Sequence, residues 1–178
     1  MPYRAVIQSW HDFYIVAGTV SATLVGLLFV GLSLHLRVVL SRSEVRSLAR
    51  VTLANLGLIL ILSLFMVLPE GVSTARTELL FSAIVSIALV VPSFLAAGRS
   101  ESTTLRGFRL MFRIGLSGLA YVGVIIASGF YTQRSFRAAL SGLVAVVVAL
   151  LVISLRNSWD LLVSVGEVAL EQRSAEGD

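Results

Sequence analysis

The chain has 178 residues, 57% of them hydrophobic and only 13% charged, with a formal net charge of +4 and a mean hydropathy of +0.93. These values lie outside the range of a water-soluble domain of this length and make lipid the solvent for most side chains. Cysteine is absent and all 14 basic residues are arginine, which excludes disulfides, thiolate metal sites, cysteine nucleophiles and any lysine Schiff base, whether to retinal or to a pyridoxal group.

Residues 1–12 carry one arginine and no apolar core, so the first long run reads as a permanent anchor and not as a cleaved signal. Apolar runs then occupy about 13–36, 51–68, 79–97, 110–130 and 138–155. Each is close to the roughly 20 residues that cross a hydrocarbon core of about 30 Å. Backbone polar groups in lipid must be satisfied within their own segment, so each run predicts a helix and the fold is expected to be all-α, a bundle of five spans. The ten-residue alternating segments of a barrel are missing. Pro92, inside the third run, removes one backbone donor and predicts a bend at which Ser86 or Ser93 re-satisfies a carbonyl.

Arginine placement sets the expected orientation. Arg37, Arg42, Arg46, Arg50, Arg99, Arg106, Arg109, Arg113, Arg156 and Arg173 fall on one side, and Arg4, Arg76, Arg134 and Arg137 on the other. Ten against four places the N-terminus outside and the C-terminus in the cytoplasm. The high pI of about 10.3 follows from these flanking arginines, which meet anionic headgroups, and gives no ground for nucleic-acid binding. Residues 1–159 form the membrane bundle. Residues 160–178 carry five acids against Arg173 and form an acidic tail that extends the fifth helix, either solvated or docked on the arginine segments.

The first span is the most patterned part of the chain. At about 100° per residue, Asp12, Thr19, Thr23, Gly26, Ser33 and Arg37 share one sector with Val16 and Val30, and Gly18 and Ala22 lie beside it. Small residues let helices approach closely in lipid, where association depends on packing. The stripe is therefore either a packing seam, its threonines bonded back to their own helix, or the wall of a water-filled path with Asp12 at one mouth and Arg37 at the other. Weaker stripes recur at Ser82, Ser86, Ser93 and Ala97, at Gly115, Gly118 and Gly123, and at Ser141, Ala145 and Ala149. Ser141 and Ala145 are expected to pack between helices.

Asn55 is the one side-chain amide inside any run and is expected either to bond across helices or to line a path. Arg156 and Asp160, four residues apart, are expected to form an ion pair, with an anion site around Arg156 as the alternative. His11 and His35 are the only histidines, and 24 residues of helix put about 36 Å between them, so they cannot share a metal. No paired carboxylates, no Ser/His/Asp set, no HExxH and no phosphate-cradling loop is present, so no enzyme, metal or cofactor is expected. The lack of an intramembrane acid argues against ion-coupled transport.

The stretch FYIVAGTVSATLVGLLFVGLSLHL, with RNSWDLLV after the last run, resembles small bacterial multi-pass membrane proteins whose first span carries a phrase of the type G-x-x-A-x-L-x-G-L-L-F-V-x-x-S-L. The resemblance covers about a fifth of the chain and implies a bacterial cytoplasmic membrane without implying an activity. Together these features lead to two expectations: a homo-oligomeric channel lined by the first-span stripe, or a scaffold or regulator that binds another membrane protein through the same seam.

Overall fold

A computed structural model describes residues 3–41, 43–68, 72–99, 105–130 and 136–176. The side chains near several helix ends, those of 105–114 and 167–176 among them, fall outside the description, as do Pro69, Glu70, Arg134 and the side chains of Ser93 and Ala97. Every long element is helical: α1 Tyr3–Leu34, α2 Leu36–Ser41, α3 Ser43–Val67, α4 Val72–Arg99, α5 Leu105–Phe130 and α6 Phe136–Glu176. Among the described residues four helices contain stretches long and apolar enough to cross a bilayer, at Trp10–Leu34, Val45–Val67, Ser73–Pro92 and Arg137–Gly166. The described apolar stretch of α5, Gly115–Phe130, is shorter, although the whole helix of 26 residues is about 39 Å long.

The helices outrun the apolar runs because no glycine or proline interrupts residues 32–56 and the ladder of backbone bonds continues into the charged flanks. Arg46 and Arg50 therefore stand on the first turns of α3. Among the described residues the ladder is broken at His35, whose amide bonds back three residues, to Leu32 O at 3.3 Å. The chain turns there, and Arg37 belongs to α2 and not to the end of α1. α4 runs through Pro92 without interruption.

α3 is the hub. It packs against α4 and α6, and α5 closes the ring between those two, while α1 docks on the outside against α3 and, more lightly, α6. Of the four membrane-length stretches, that of α3 is the most buried and that of α1 the least. Gly18 meets Ser63 and Ser21 meets Leu56, so α1 and α3 run antiparallel. Leu56, Ile59, Leu62, Leu79, Val124, Leu143 and Leu150 are wholly buried in the main apolar cluster, and Leu28, Val39, Val45, Leu48 and Leu161 form a second one around α2.

The outside is as apolar as the inside. Leu27, Phe29, Leu34, Phe81, Leu119 and Val152 are all more than half exposed, an arrangement that only lipid or another apolar surface tolerates. Several hydroxyls within the helices bond their own backbone, as Thr52 to Leu48 O at 2.8 Å and Ser82 to Glu78 O at 2.7 Å do. A polar side chain satisfied in this way does not need water.

Candidate functional site

The face by which α1 docks is set by Tyr14, Ala17, Gly18, Ser21 and Leu28, all buried. Their spacing of three, four and seven residues places them on one side of the helix. Asp12, Thr19, Thr23, Gly26 and Ser33 lie on the other side and are exposed, as is Arg37 at the start of α2. The small and hydroxylated stripe is thus exposed along α1, and at its C-terminal end Ser33 also lines a groove that α1 forms with α3 and α4. Its hydroxyls bond backward: Thr19 Oγ1 donates to Ile15 O at 2.8 Å, Thr23 Oγ1 to Thr19 O at 2.9 Å and Ser33 Oγ to Val30 O at 2.9 Å. Asp12 is fully exposed at the N-terminal end, its carboxylate 3.4 Å from His11 Nδ1.

The series Gly18, Ala22, Gly26 splits between the two sides. A methyl group at Gly18 would stand 3.0 Å from Ser63 Cβ, whereas at Gly26 it would meet nothing within 4 Å, and Ala22 is exposed. On α6, Ser141 and Ala145 also point outward. The close contact between α5 and α6 is made elsewhere, where Gly123 faces Val146 Cγ2 at 2.9 Å from the position of an added methyl. Arg156 is exposed and Asp160 partly buried one turn later on α6.

Asn55 is fully buried. Its stretch Val45–Val67 is centred on residue 56, so the amide sits at the middle of the span and not near one end, where a helix starting at residue 51 would place it. Asn55 Nδ2 donates to Ser117 Oγ at 2.9 Å, and the Tyr121 hydroxyl donates to Asn55 Oδ1. Ser117 and Tyr121 are one turn apart on α5, so the amide ties α3 to α5 through both of its polar atoms. Next to it, Ser21 Oγ donates to Leu56 O at 2.6 Å and ties α3 to α1. This polar node includes Ser21, Ser117 and Tyr121, which sequence reasoning missed. The available signal was the spacing of Ser117 and Tyr121, two hydroxyls aligned on one face of an apolar helix.

A second polar group lies on α6, where Ser154, Asn157 and Ser158 are buried and Ser154 Oγ, Asn157 Nδ2 and Ser158 Oγ have no hydrogen-bond partner among the described residues. A buried donor without an acceptor costs about 1–3 kcal/mol. Asn157→Leu, of similar volume, should therefore leave stability unchanged or raise it by about 1 kcal/mol in denaturant unfolding of the detergent-solubilised protein. A comparable loss would show that the amide is bonded in the membrane protein.

The arrangement supplies an outward polar stripe, a closed polar node and an apolar exterior. Among the described residues no group of three His, Asp or Glu side chains is placed to hold a metal ion. No protein-family model, curated protein or solved structure matches the chain.

Proposed function

We propose that the protein is an oligomeric membrane channel in which several copies turn the outward face of α1 toward a common axis. Thr19, Thr23, Gly26 and Ser33 then line a path for ions or small solutes between Asp12 and Arg37. One observation carries this reading: the stripe is exposed along its length on a helix whose opposite face is already engaged with α3. Hydroxyls and glycines leave room for water and offer it acceptor oxygens. In this reading α5 crosses the membrane with the other four long helices, in a bacterial cytoplasmic membrane with the N-terminus outside, and the protein has no catalytic step, cofactor or nucleic-acid partner.

A second reading rests on the backward bonds of Thr19, Thr23 and Ser33. Hydroxyls satisfied by their own helix suit a dry seam, against which another membrane protein would pack, making this chain a scaffold or regulator with the acidic tail as a docking element.

Thr23→Leu separates the two. Reconstituted in liposomes, a channel built on this face should lose at least tenfold in ion flux while its oligomeric mass in nanodiscs is unchanged. A seam should instead lose its partner or its assembly. Wild-type protein that is monomeric and passes no ions overturns the channel.

A further inference from the structure

On the side of the bundle, at the end that carries α2, a groove of about 560 Å³ opens between α1, α3 and α4. Its walls are Phe29 and Leu32 of α1, Leu53 and Gly57 of α3, and Val85 and Leu89 of α4. Arg46 and Arg50 also line it. They are one turn apart on the same face of α3, both exposed, and neither makes an ion pair among the described residues.

The geometry points to a binding site for one anionic phospholipid, with its phosphate between Arg46 and Arg50 and an acyl chain laid along Leu53 and Gly57. This goes beyond the channel reading and does not depend on it. The dimensions fit a single leaflet. Arg46 stands at the edge of the stretch Val45–Val67 and Gly57 next to its centre. The eleven residue-to-residue steps from Arg46 to Gly57 rise about 16 Å, close to half of a hydrocarbon core of about 30 Å. Arg50, one turn deeper, reaches the headgroup level along its aliphatic stem, as arginines near helix ends do.

Charge complementarity selects the occupant. Two guanidinium groups that meet no carboxylate among the described residues favour a ligand with net negative charge, and basic pockets between membrane helices hold anionic headgroups. A zwitterionic choline lipid brings its own cation to the same place. A free phosphate ion would use only the mouth and leave the apolar walls uncovered. The groove volume is within the range of about 300–1,000 Å³ that accommodates an organic ligand.

The test uses full-length, delipidated protein in detergent, titrated with phosphatidylglycerol and with phosphatidylcholine of the same acyl chains, and read by native mass spectrometry. Phosphatidylglycerol should bind at least tenfold more tightly. Arg46→Gln with Arg50→Gln should remove that preference, and Gly57→Leu, whose added methyl meets nothing within 4 Å, should fill the trough and weaken binding at least fivefold. Arg156→Gln, a charge removed from an exposed position on α6, should change affinity less than twofold, and glycerol phosphate at millimolar concentration should not compete. Unfolding of the lipid-free variants checks that each is folded, and Arg46→Gln alone should still weaken binding if the pair is unstable. Equal affinity for the two lipids, an equal loss in Arg156→Gln, or competition by glycerol phosphate would each overturn the site, the last by showing an anion site that does not recognise lipid.

Discussion

Gly18→Leu should lower the unfolding free energy by about 1–3 kcal/mol, the usual cost of forcing extra methylenes into a packed contact, while Gly26→Leu in the same helix should leave it unchanged. The difference arises from what each position faces. At Gly18 even a methyl group would press to 3.0 Å from Ser63 Cβ, and the neighbouring Tyr14, Ala17 and Ser21 are buried in the same contact, so a leucine there must push α1 away from α3. Separation would also break the bond from Ser21 Oγ to Leu56 O. At Gly26 the added atoms enter open space. Unfolding curves in detergent, followed by the fluorescence of Trp10, whose ring meets Phe13 and through it Tyr14, measure both variants. A loss of equal size in the two would show that the outward face of α1 packs within the monomer. With the monomer intact, any change in assembly or flux caused by Gly26→Leu is an effect between copies, which is what makes this variant informative for the channel.

Membrane location and helical class are legible in the sequence for one physical reason. Runs of 18 or so apolar residues in lipid have to be helices, and the structure has long helices over all five. Which face of each helix packs is much harder to read. In water a buried face is apolar and an exposed one polar, but in lipid the contrast vanishes: exposed Leu27 and Phe29 flank buried Leu28 on α1. The remaining cue, residue size, points to Gly18, Ala22 and Gly26 together, whereas only Gly18 faces another helix closely. The contact face is instead a mixture of Tyr14, Ala17, Gly18, Ser21 and Leu28 whose common property is fit.

Boundaries mislead in a related way. Hydropathy drops at Arg50 and sets the expected start of the second run at residue 51, yet α3 begins at Ser43. An arginine ends an apolar run without ending a helix, because its stem is apolar and its charge reaches water. That shift moves Asn55 to mid-membrane, and it places Arg46 and Arg50 on a rigid helix beside the lateral groove rather than on a loop. The partners of Asn55 lie 62 and 66 residues away. Local pattern marks Ser117 and Tyr121 as sharing a face, but only the packing of α3 against α4, α5 and α6 determines that this face meets the amide.

Asn55→Leu should cost about 1–3 kcal/mol, because it takes from the buried Tyr121 hydroxyl the acceptor it uses, and from Ser117 Oγ the amide N–H that Asn55 supplies, in a medium that offers no water. Tyr121→Phe removes the same bond from the other end. If the two groups act on each other, the double variant should be less destabilised than the sum of the singles, with a coupling of about 0.5–1.7 kcal/mol, the range of interhelical hydrogen bonds in membranes. Additive losses would place the strength of the node elsewhere. The same variant bears on function. Asn55 is fully buried, and both of its polar atoms are engaged inside the bundle, so it is a tie between α3 and α5 and not a surface met by a permeating ion. Under the proposed channel, a folded and assembled Asn55→Leu protein should therefore retain wild-type flux, whereas Thr23→Leu should not. Loss of flux in a stable, assembled Asn55→Leu protein would move the path from the outside of α1 to the interior of the α3–α6 ring.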